Sequence, residues 1–198
     1  MSHQFTEAIK YKDGKFYNLS YHQLRMDKTS EHFGLNKINL AKNIEKVPSP
    51  DKKGFYKCRV LYANEIENIE FLPYSLREKQ KVGIVQADEI NYSYKYANRE
   101  KLEKLIAGTD FDDIIIVKNG YVTDALFSNL VFETENGFFT PETFLLPGTK
   151  RQYLLDKQVI SETKIRAKDI FDYSKIRFIN SMIDIEDDIF IETKKLIL

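Results

Sequence analysis

The clearest local structural signal in the sequence is the segment Asp113-Ile-Ile-Ile-Val-Lys-Asn-Gly-Tyr-Val-Thr-Asp-Ala125. At its centre is Asn119-Gly120, a dipeptide preferred in type I′ turns because both central residues of that turn take a positive φ. The apolar residues on either side predict two antiparallel strands joined by this turn. Asp124 lies in the second strand among apolar and small residues, where a carboxylate either faces solvent or is buried against a cation.

Further strands and short helices are predicted around this hairpin. Asn98 is predicted to cap a short helix that ends at Gly108. Thr149 is predicted to cap a second helix, because Gln152 follows it at capping-box spacing. Helices and strands do not alternate regularly along the chain, as they do in a doubly wound sheet, which indicates the α+β class. The other strands predicted in this half cover residues 82–86, 129–133, 137–140 and 176–180.

The first half of the chain predicts a smaller unit of its own. Residues 5–19 read as two short strands, and a helix over residues 21–33 follows, with Ser20 as its capping-box residue. A polar, charged stretch poor in apolar residues then marks the predicted domain boundary. We therefore expect a small N-terminal α+β domain, residues 1–78, and a C-terminal α+β domain, residues 79–198.

The composition excludes several classes of protein. The 198 residues carry 30 Lys and Arg against 30 Asp and Glu, whereas general nucleic-acid binders show a basic excess. No apolar run approaches the roughly 18 residues that a membrane span needs, and no basic-then-apolar export signal opens the chain. One Cys and three His leave little for a zinc site. We expect a cytoplasmic protein without a nucleic-acid, membrane or metal partner.

The eight glycines are isolated from one another along the chain. Dinucleotide fingerprints and P-loops need clustered glycines, because the backbone must approach a phosphate closely. A phosphate bound by this chain would therefore meet arginine side chains, hydroxyl groups and a helix N-terminus.

Three segments contain candidate residues for a functional site. His22, Arg25, Thr29 and His32 form one polar stripe at helical spacing, which is either a solvated helix face or an anion site with Arg25 as a rigid fork of donors.

The other two candidates are a lysine and a helix start. Lys95 is flanked by tyrosines; most lysines are exposed, but an aromatic setting desolvates an amine and lowers its pKa, as a Schiff-base lysine requires. The segment Gly148-Thr149-Lys150-Arg151 begins a predicted helix. The Thr149 hydroxyl either caps this helix, or it binds a phosphate together with the first N–H groups of the helix.

In this order, these segments resemble the class IV aminotransferase family, the fold-type IV pyridoxal-phosphate enzymes, which include branched-chain aminotransferase, D-amino acid aminotransferase and aminodeoxychorismate lyase. His22-Gln-Leu-Arg25 matches the family's His-x-x-Arg helix, and Lys95-Tyr-Ala-Asn-Arg99 resembles its lysine segment. Asp124, with Ser128-Asn129-Leu130 after it, resembles the hairpin segment that carries an acidic residue. Leu146-Pro-Gly-Thr-Lys-Arg151 resembles the family's Gly-Ile-Thr-Arg motif.

The resemblance implies a two-domain, D-amino acid aminotransferase-like α+β architecture, with pyridoxal 5′-phosphate at the domain interface, and a homodimer. Lys95 would carry the cofactor as a Schiff base and move the proton between the substrate Cα and the cofactor C4′. Asp124 would pair with the pyridine nitrogen and keep it protonated. Arg25 would hold the phosphate together with the helix start at Thr149 and Lys150.

The resemblance also implies a substrate site and a reaction. Arg59 falls where related enzymes bring an arginine that grips the substrate carboxylate. The chain departs from the family in having Asp124 where Glu is usual, in the order of Thr149 and Lys150, and in its shorter length. The Lys95-x-x-Asn98-Arg99 pattern resembles the lyase branch slightly more, so the expected reaction is elimination of pyruvate from aminodeoxychorismate to give 4-aminobenzoate. The alternatives are a branched-chain or D-amino acid aminotransferase and a non-catalytic family member.

Overall fold

The computed structural model describes residues 3–197 of the chain. It divides into two compact units. The first runs to Ser75 and includes Tyr94–Asn98, and the second comprises Leu76–Ser93 and the residues from Arg99 onward. Both units combine sheets with short helices, which confirms the predicted α+β class. Within residues 3–197, no helix has the length and apolar character needed to cross a membrane.

The first unit is a four-stranded antiparallel sheet with two helices. The strands are ordered β2-β1-β3-β4. Its elements are β1 (Phe5–Lys12), β2 (Lys15–Phe16), α1 (Leu19–Phe33), α2 (Leu40–Ile44), β3 (Phe55–Tyr62) and β4 (Ile66–Pro73).

Alternation along β1 decides which side of this sheet forms the core. Phe5 and Ile9 are buried on one face and pack with Met26 of α1 and Val60 of β3. Successive side chains of a strand point to opposite faces, so Glu7, between Phe5 and Ile9, lies on the core face as well. That position gives a charged residue in the apolar core, and its partners define the candidate site below.

The second unit contains two sheets. The three-stranded sheet is ordered β5-β6-β7 and the five-stranded sheet β10-β9-β8-β11-β12. Pairing is antiparallel except between β5 and β6 and between β9 and β10. The elements are β5 (Val82–Gln86), α3 (Glu100–Glu103), β6 (Asp113–Lys118), β7 (Tyr121–Ala125), β8 (Asn129–Thr134), β9 (Gly137–Pro141), α4 (Thr149–Asp156), β10 (Ser161–Thr163), β11 (Lys175–Ile179) and β12 (Phe190–Glu192).

The predicted hairpin is confirmed by β6 and β7. Lys118 pairs with Tyr121 across the turn, and the two residues between them take positive φ values of 52° at Asn119 and 77° at Gly120. Left-handed backbone at both positions is what a type I′ turn requires.

The predicted helix starts were wrong by one or two residues. Helix α1 begins before Ser20, with Asn18 as its N-cap in the left-handed region, because Leu19 packs against the core of the first unit and is included in the first turn. Arg99, not Asn98, precedes α3. Gly148 is the N-cap of α4, so Thr149 is its first helical residue.

Candidate active site

The polar stripe of α1 is buried, so its interpretation as a solvated helix face was wrong. His22 is 0% exposed, Thr29 1% and Arg25 9%, while His32 at the end of the stripe is exposed. The stripe is buried because α1 packs on the sheet face from which Glu7 projects.

Glu7 binds both Arg25 and His22. Arg25 donates from Nε to Oε1 at 2.9 Å and from Nη2 to Oε2 at 2.5 Å, and His22 Nδ1 lies 2.6 Å from Oε2. Burial by itself raises the pKa of Glu7, but the charge and hydrogen bonds of Arg25, aided by those of His22, lower it to about 2. Burial lowers the pKa of His22. A neutral His22 imidazole whose Nδ1–H donates to an ionised Glu7 carboxylate is consistent with the lowered pKa of both groups.

Sequence reasoning missed Glu7. The signal available was an acidic residue at a core-facing position of an alternating strand, which demands a cationic partner. Its partner lies 18 residues further along the chain, so the pairing itself is not a local pattern.

Lys95 belongs to the same unit and lies beside β1. Its carbonyl accepts a hydrogen bond from Thr6 N at 2.9 Å, and Tyr96 forms an antiparallel bridge with Phe5. Tyr94 and Tyr96 pack partly buried against the core of the unit, and the side chain of Lys95 is half-buried. Burial is the main cause of the lowered pKa of His22, and the positive charge of Lys95 adds a smaller lowering effect.

Arg59 lies on the opposite face of the sheet. The register pairs Val60 with Glu7 and Arg59 with Ala8, so the guanidinium points away from Glu7. Arg59 pairs with Glu70 of the adjacent strand at 3.2 Å, and 48% of its side chain is exposed. The structure therefore places Arg59 away from the Glu7–Arg25 pair.

Asp124 of β7 is buried with only 5% exposure. Oδ2 accepts hydrogen bonds from the backbone N of Leu145 at 3.0 Å and of Leu146 at 2.9 Å, while Oδ1 accepts from Asn129 Nδ2 at 2.7 Å. Burial raises the pKa of Asp124 to about 6, against the lowering effect of these three donors and of the Arg151 charge. The carboxylate is thus buried, but N–H groups, rather than a cation in contact, surround it.

The start of α4 carries three buried polar residues, Thr149, Lys150 and Arg151. The ammonium of Lys150 is ion-paired with Asp184. Arg151 donates to the carbonyl of Pro141 at 2.9 Å and to Glu162 at 2.5 Å. Both side chains thus have acidic partners within their own unit.

The sequence-predicted residues are divided between the two units: Arg25, Arg59 and Lys95 lie in the first, and Asp124, Thr149 and Lys150 lie in the second. Residues 3–197 contain no group of three or more His, Cys, Asp or Glu side chains arranged to hold a metal ion.

The chain is similar in sequence and in fold to known proteins. Residues 4–185 match the family model described as Amino-transferase class IV. An uncharacterised protein of Haemophilus influenzae is 32% identical over 180 residues, which cover 89% of this chain and 96% of that protein.

Solved structures extend the similarity. A proposed 4-amino-4-deoxychorismate lyase of Haemophilus somnus is 32% identical, with a TM-score of 0.84 over 92% of this chain and 97% of that one. A hypothetical aminotransferase of Mycobacterium tuberculosis with pyridoxal phosphate bound has the same fold at 18% identity, with a TM-score of 0.74 over 91% of this chain and 78% of that one. The chain therefore belongs to the class IV aminotransferase family, whose members are pyridoxal-phosphate-dependent lyases and aminotransferases.

Proposed function

We propose that this chain binds pyridoxal 5′-phosphate through Lys95 and eliminates pyruvate from aminodeoxychorismate to give 4-aminobenzoate. The observation that carries the proposal is the buried Asp124 carboxylate, which is held by N–H donors and which no cation of residues 3–197 contacts. Such a carboxylate is a suitable acceptor for a protonated ring nitrogen.

The residues fit the cofactor at each of its polar ends. Within residues 3–197, Asp124 Oδ2 accepts two hydrogen bonds and Oδ1 accepts one. Each carboxylate oxygen accepts about two hydrogen bonds, so Oδ1 retains capacity for the N–H of a pyridinium. For the phosphate, we assign the Thr149 hydroxyl and the first N–H groups of α4. Arg25 is paired with Glu7 and Lys150 with Asp184, so both are weaker candidates than the helix start.

The cofactor, when bound, supplies an electron sink for the negative charge that develops on the substrate Cα. Lys95 is the base that removes the Cα proton. Asp124 holds the proton on the ring nitrogen, which keeps the ring able to accept electrons. Arg59 would bind a substrate carboxylate; its exposed pair with Glu70 is of a kind worth only about 0–1 kcal/mol, so its release to a substrate costs little.

The lyase reaction is favoured over aminotransfer by two observations. The Lys95-x-x-Asn98-Arg99 pattern resembles the lyase branch, and a relative of 32% identity is a proposed 4-amino-4-deoxychorismate lyase. A branched-chain or D-amino acid aminotransferase is the second candidate, because the same Cα deprotonation begins both reactions. We further propose that the protein is cytoplasmic, as its composition indicates, and that it is a homodimer, as the family resemblance implies.

Absorption spectroscopy tests cofactor binding. The purified chain, supplied with pyridoxal phosphate, should show an absorbance band that borohydride reduction removes and that Lys95→Ala abolishes. Lys118→Ala is the matched control, since Lys118 donates to the carbonyl of Ile90, and it should keep the band. A colourless wild-type protein that takes up no cofactor would leave only the non-catalytic alternative.

Product analysis separates the two reactions. Incubation with aminodeoxychorismate should release pyruvate and 4-aminobenzoate in equal amounts. A parallel incubation with amino acids and 2-oxoglutarate should give no amino exchange. Exchange without 4-aminobenzoate would assign the chain as an aminotransferase.

A further inference from the structure

Asn129 is the one side chain, among residues 3–197, that donates a hydrogen bond to Asp124. Its Nδ2 lies 2.7 Å from Asp124 Oδ1, and the other two donors to this carboxylate are backbone N–H groups. Asn129 is itself 5% exposed and begins β8, five residues after Asp124. The Asn129 side chain that contacts Asp124 Oδ1 is thus held on β8, the strand that follows β7 in the chain.

The orientation of the Asn129 amide is fixed by two acceptors. Nδ2 also donates to the carbonyl of Leu146 at 3.1 Å. Since a carboxylate and a carbonyl both accept, the NH₂ group must face them and Oδ1 of Asn129 must face away. On that far side is Gly148.

Gly148 leaves the space that this orientation needs. A Cβ at Gly148 would lie 1.8 Å from Asn129 Oδ1, far inside van der Waals contact. The backbone of Gly148, with φ −67° and ψ 136°, is open to any residue. The glycine is therefore required by the position of Asn129 and not by its own conformation.

We infer that Asn129 is a positioning residue for Asp124, and that Gly148 is its steric counterpart: together they hold Asp124 Oδ1 in place, where it would accept a hydrogen bond from the protonated ring nitrogen of a bound cofactor. The part of this inference that concerns the ring nitrogen rests on the function proposed above. The part that concerns Asp124 rests on the geometry of the chain alone.

The charge of Asp124 depends on this contact. The Asn129 hydrogen bond, the two backbone donors and the Arg151 charge all favour the ionised carboxylate against burial. Removing one donor makes the carboxylate more basic. A more basic carboxylate takes the proton from the ring nitrogen, which weakens the electron sink.

The first test uses the full chain without cofactor, with ¹³C-labelled aspartate and NMR detection of the Asp124 carboxyl as the pH changes. Asp124→Asn identifies the signal by its loss. The wild-type carboxyl should titrate near 6, and Asn129→Ala and Gly148→Ala should each raise the midpoint by about one pH unit, a tenfold change in proton affinity. Asn180→Ala is the matched control, because Asn180 donates to Phe127 O and Ser128 Oγ but not to Asp124; it should leave the midpoint unchanged.

A double variant tests whether Gly148 acts through Asn129. In the Asn129→Ala background, Gly148→Ala should have no further effect on the midpoint, because the clashing amide is gone. Additive shifts would overturn the role of Gly148. Unchanged titration in Asn129→Ala would overturn the inference as a whole, and so would failure of both single variants to fold, since Asn129 would then determine stability rather than the Asp124 charge.

The second test uses the protein with pyridoxal phosphate ¹⁵N-labelled at the ring nitrogen. In the wild type the ¹⁵N signal should lie at the pyridinium position, and in Asn129→Ala and Gly148→Ala it should move toward the neutral pyridine position. A signal identical in all three proteins would contradict the inference. If the wild type binds no cofactor, the proposed function fails, whereas the titration of Asp124 still decides the role of Asn129.

Discussion

Glu7 in the first unit and Asp124 in the second are both buried carboxylates with opposite ionisation behaviour. Glu7 is 0% exposed and has a pKa of about 2, whereas Asp124 is 5% exposed and has a pKa of about 6. Burial raises the pKa of both groups. The difference comes from the partners, because a guanidinium contacts Glu7 through two hydrogen bonds, whereas the donors to Asp124 in the described part of the chain are N–H groups of neutral residues.

This comparison shows how the two carboxylates suit different tasks. An ionised Glu7 holds the Arg25 guanidinium rigidly in the core of the first unit, which is a structural task. Asp124 has no cation of residues 3–197 in contact with it, which in the proposed function leaves it to hold the proton on the ring nitrogen. In the sequence, Glu7 and Asp124 are both acidic residues within predicted strands. Their different tasks become visible only from the partners that the structure gives each carboxylate.

The largest expected effect is on stability, from removing the cation beside Glu7. Arg25→Met leaves the buried Glu7 carboxylate without its guanidinium partner, with the neutral His22 imidazole still beside it, and should lower the free energy of unfolding by about 3–5 kcal/mol, measured by urea denaturation at pH 7. A loss below 1 kcal/mol would show that Glu7 does not depend on Arg25 for its charge.

The pH dependence of stability should separate the two carboxylates. The folded-state pKa of Asp124 lies above its ordinary value of 3.8, so the stability it contributes is present at low pH and is lost as the pH rises toward about 6. The pKa of Glu7 lies below its ordinary value of 4.5, so its contribution is present above that value and is lost as the pH falls toward about 2. Each contribution amounts to about 3 kcal/mol.

Unfolding of the cofactor-free chain from pH 3 to pH 7 measures these contributions. The decline in the free energy of unfolding between about pH 4 and pH 6 should be smaller in Asp124→Asn than in the wild type. The loss of stability at more acid pH should be the same in both proteins. Parallel profiles for the two proteins would show that Asp124 does not titrate in this range.

Local signals in the sequence predicted part of the fold and of the site. The hairpin around Asn119-Gly120 was predictable because its turn depends on two adjacent residues. Lys95 and Asp124 were identified as candidates from ordered motifs, and their roles stay predictions. Glu7 was missed, and so was the pairing of Lys150 with Asp184, which lies 34 residues further along the chain; such contacts depend on how elements pack, which no local pattern encodes. The buried α1 stripe was ambiguous for the same reason.

A smaller effect is expected from changing the charge at Asp124 while keeping the protein folded. Asp124→Asn should reduce kcat/KM for the lyase reaction at least about tenfold more than Asp124→Glu, equivalent to about 1.4 kcal/mol, because only a carboxylate favours the pyridinium. Steady-state kinetics of both variants, with cofactor occupancy checked by absorbance, provide the measurement. Equal activity in the two variants would remove Asp124 from this role.

The smallest effect is expected at the exposed pair of Arg59 and Glu70, which is the counterpart of the buried Arg25 pair on the same sheet. Arg59→Met should change the free energy of unfolding by less than about 1 kcal/mol while raising KM for the substrate. Urea denaturation and kinetics together test this. An unchanged KM would remove Arg59 from substrate binding.

The most direct test of the central claim, that Lys95 binds pyridoxal phosphate, is mass spectrometry of the borohydride-reduced protein after proteolysis. The cofactor mass should be found on the peptide that contains Lys95 and on that residue. Cofactor mass on other lysines with none on Lys95, or on no peptide of a protein incubated with excess cofactor, would contradict the account.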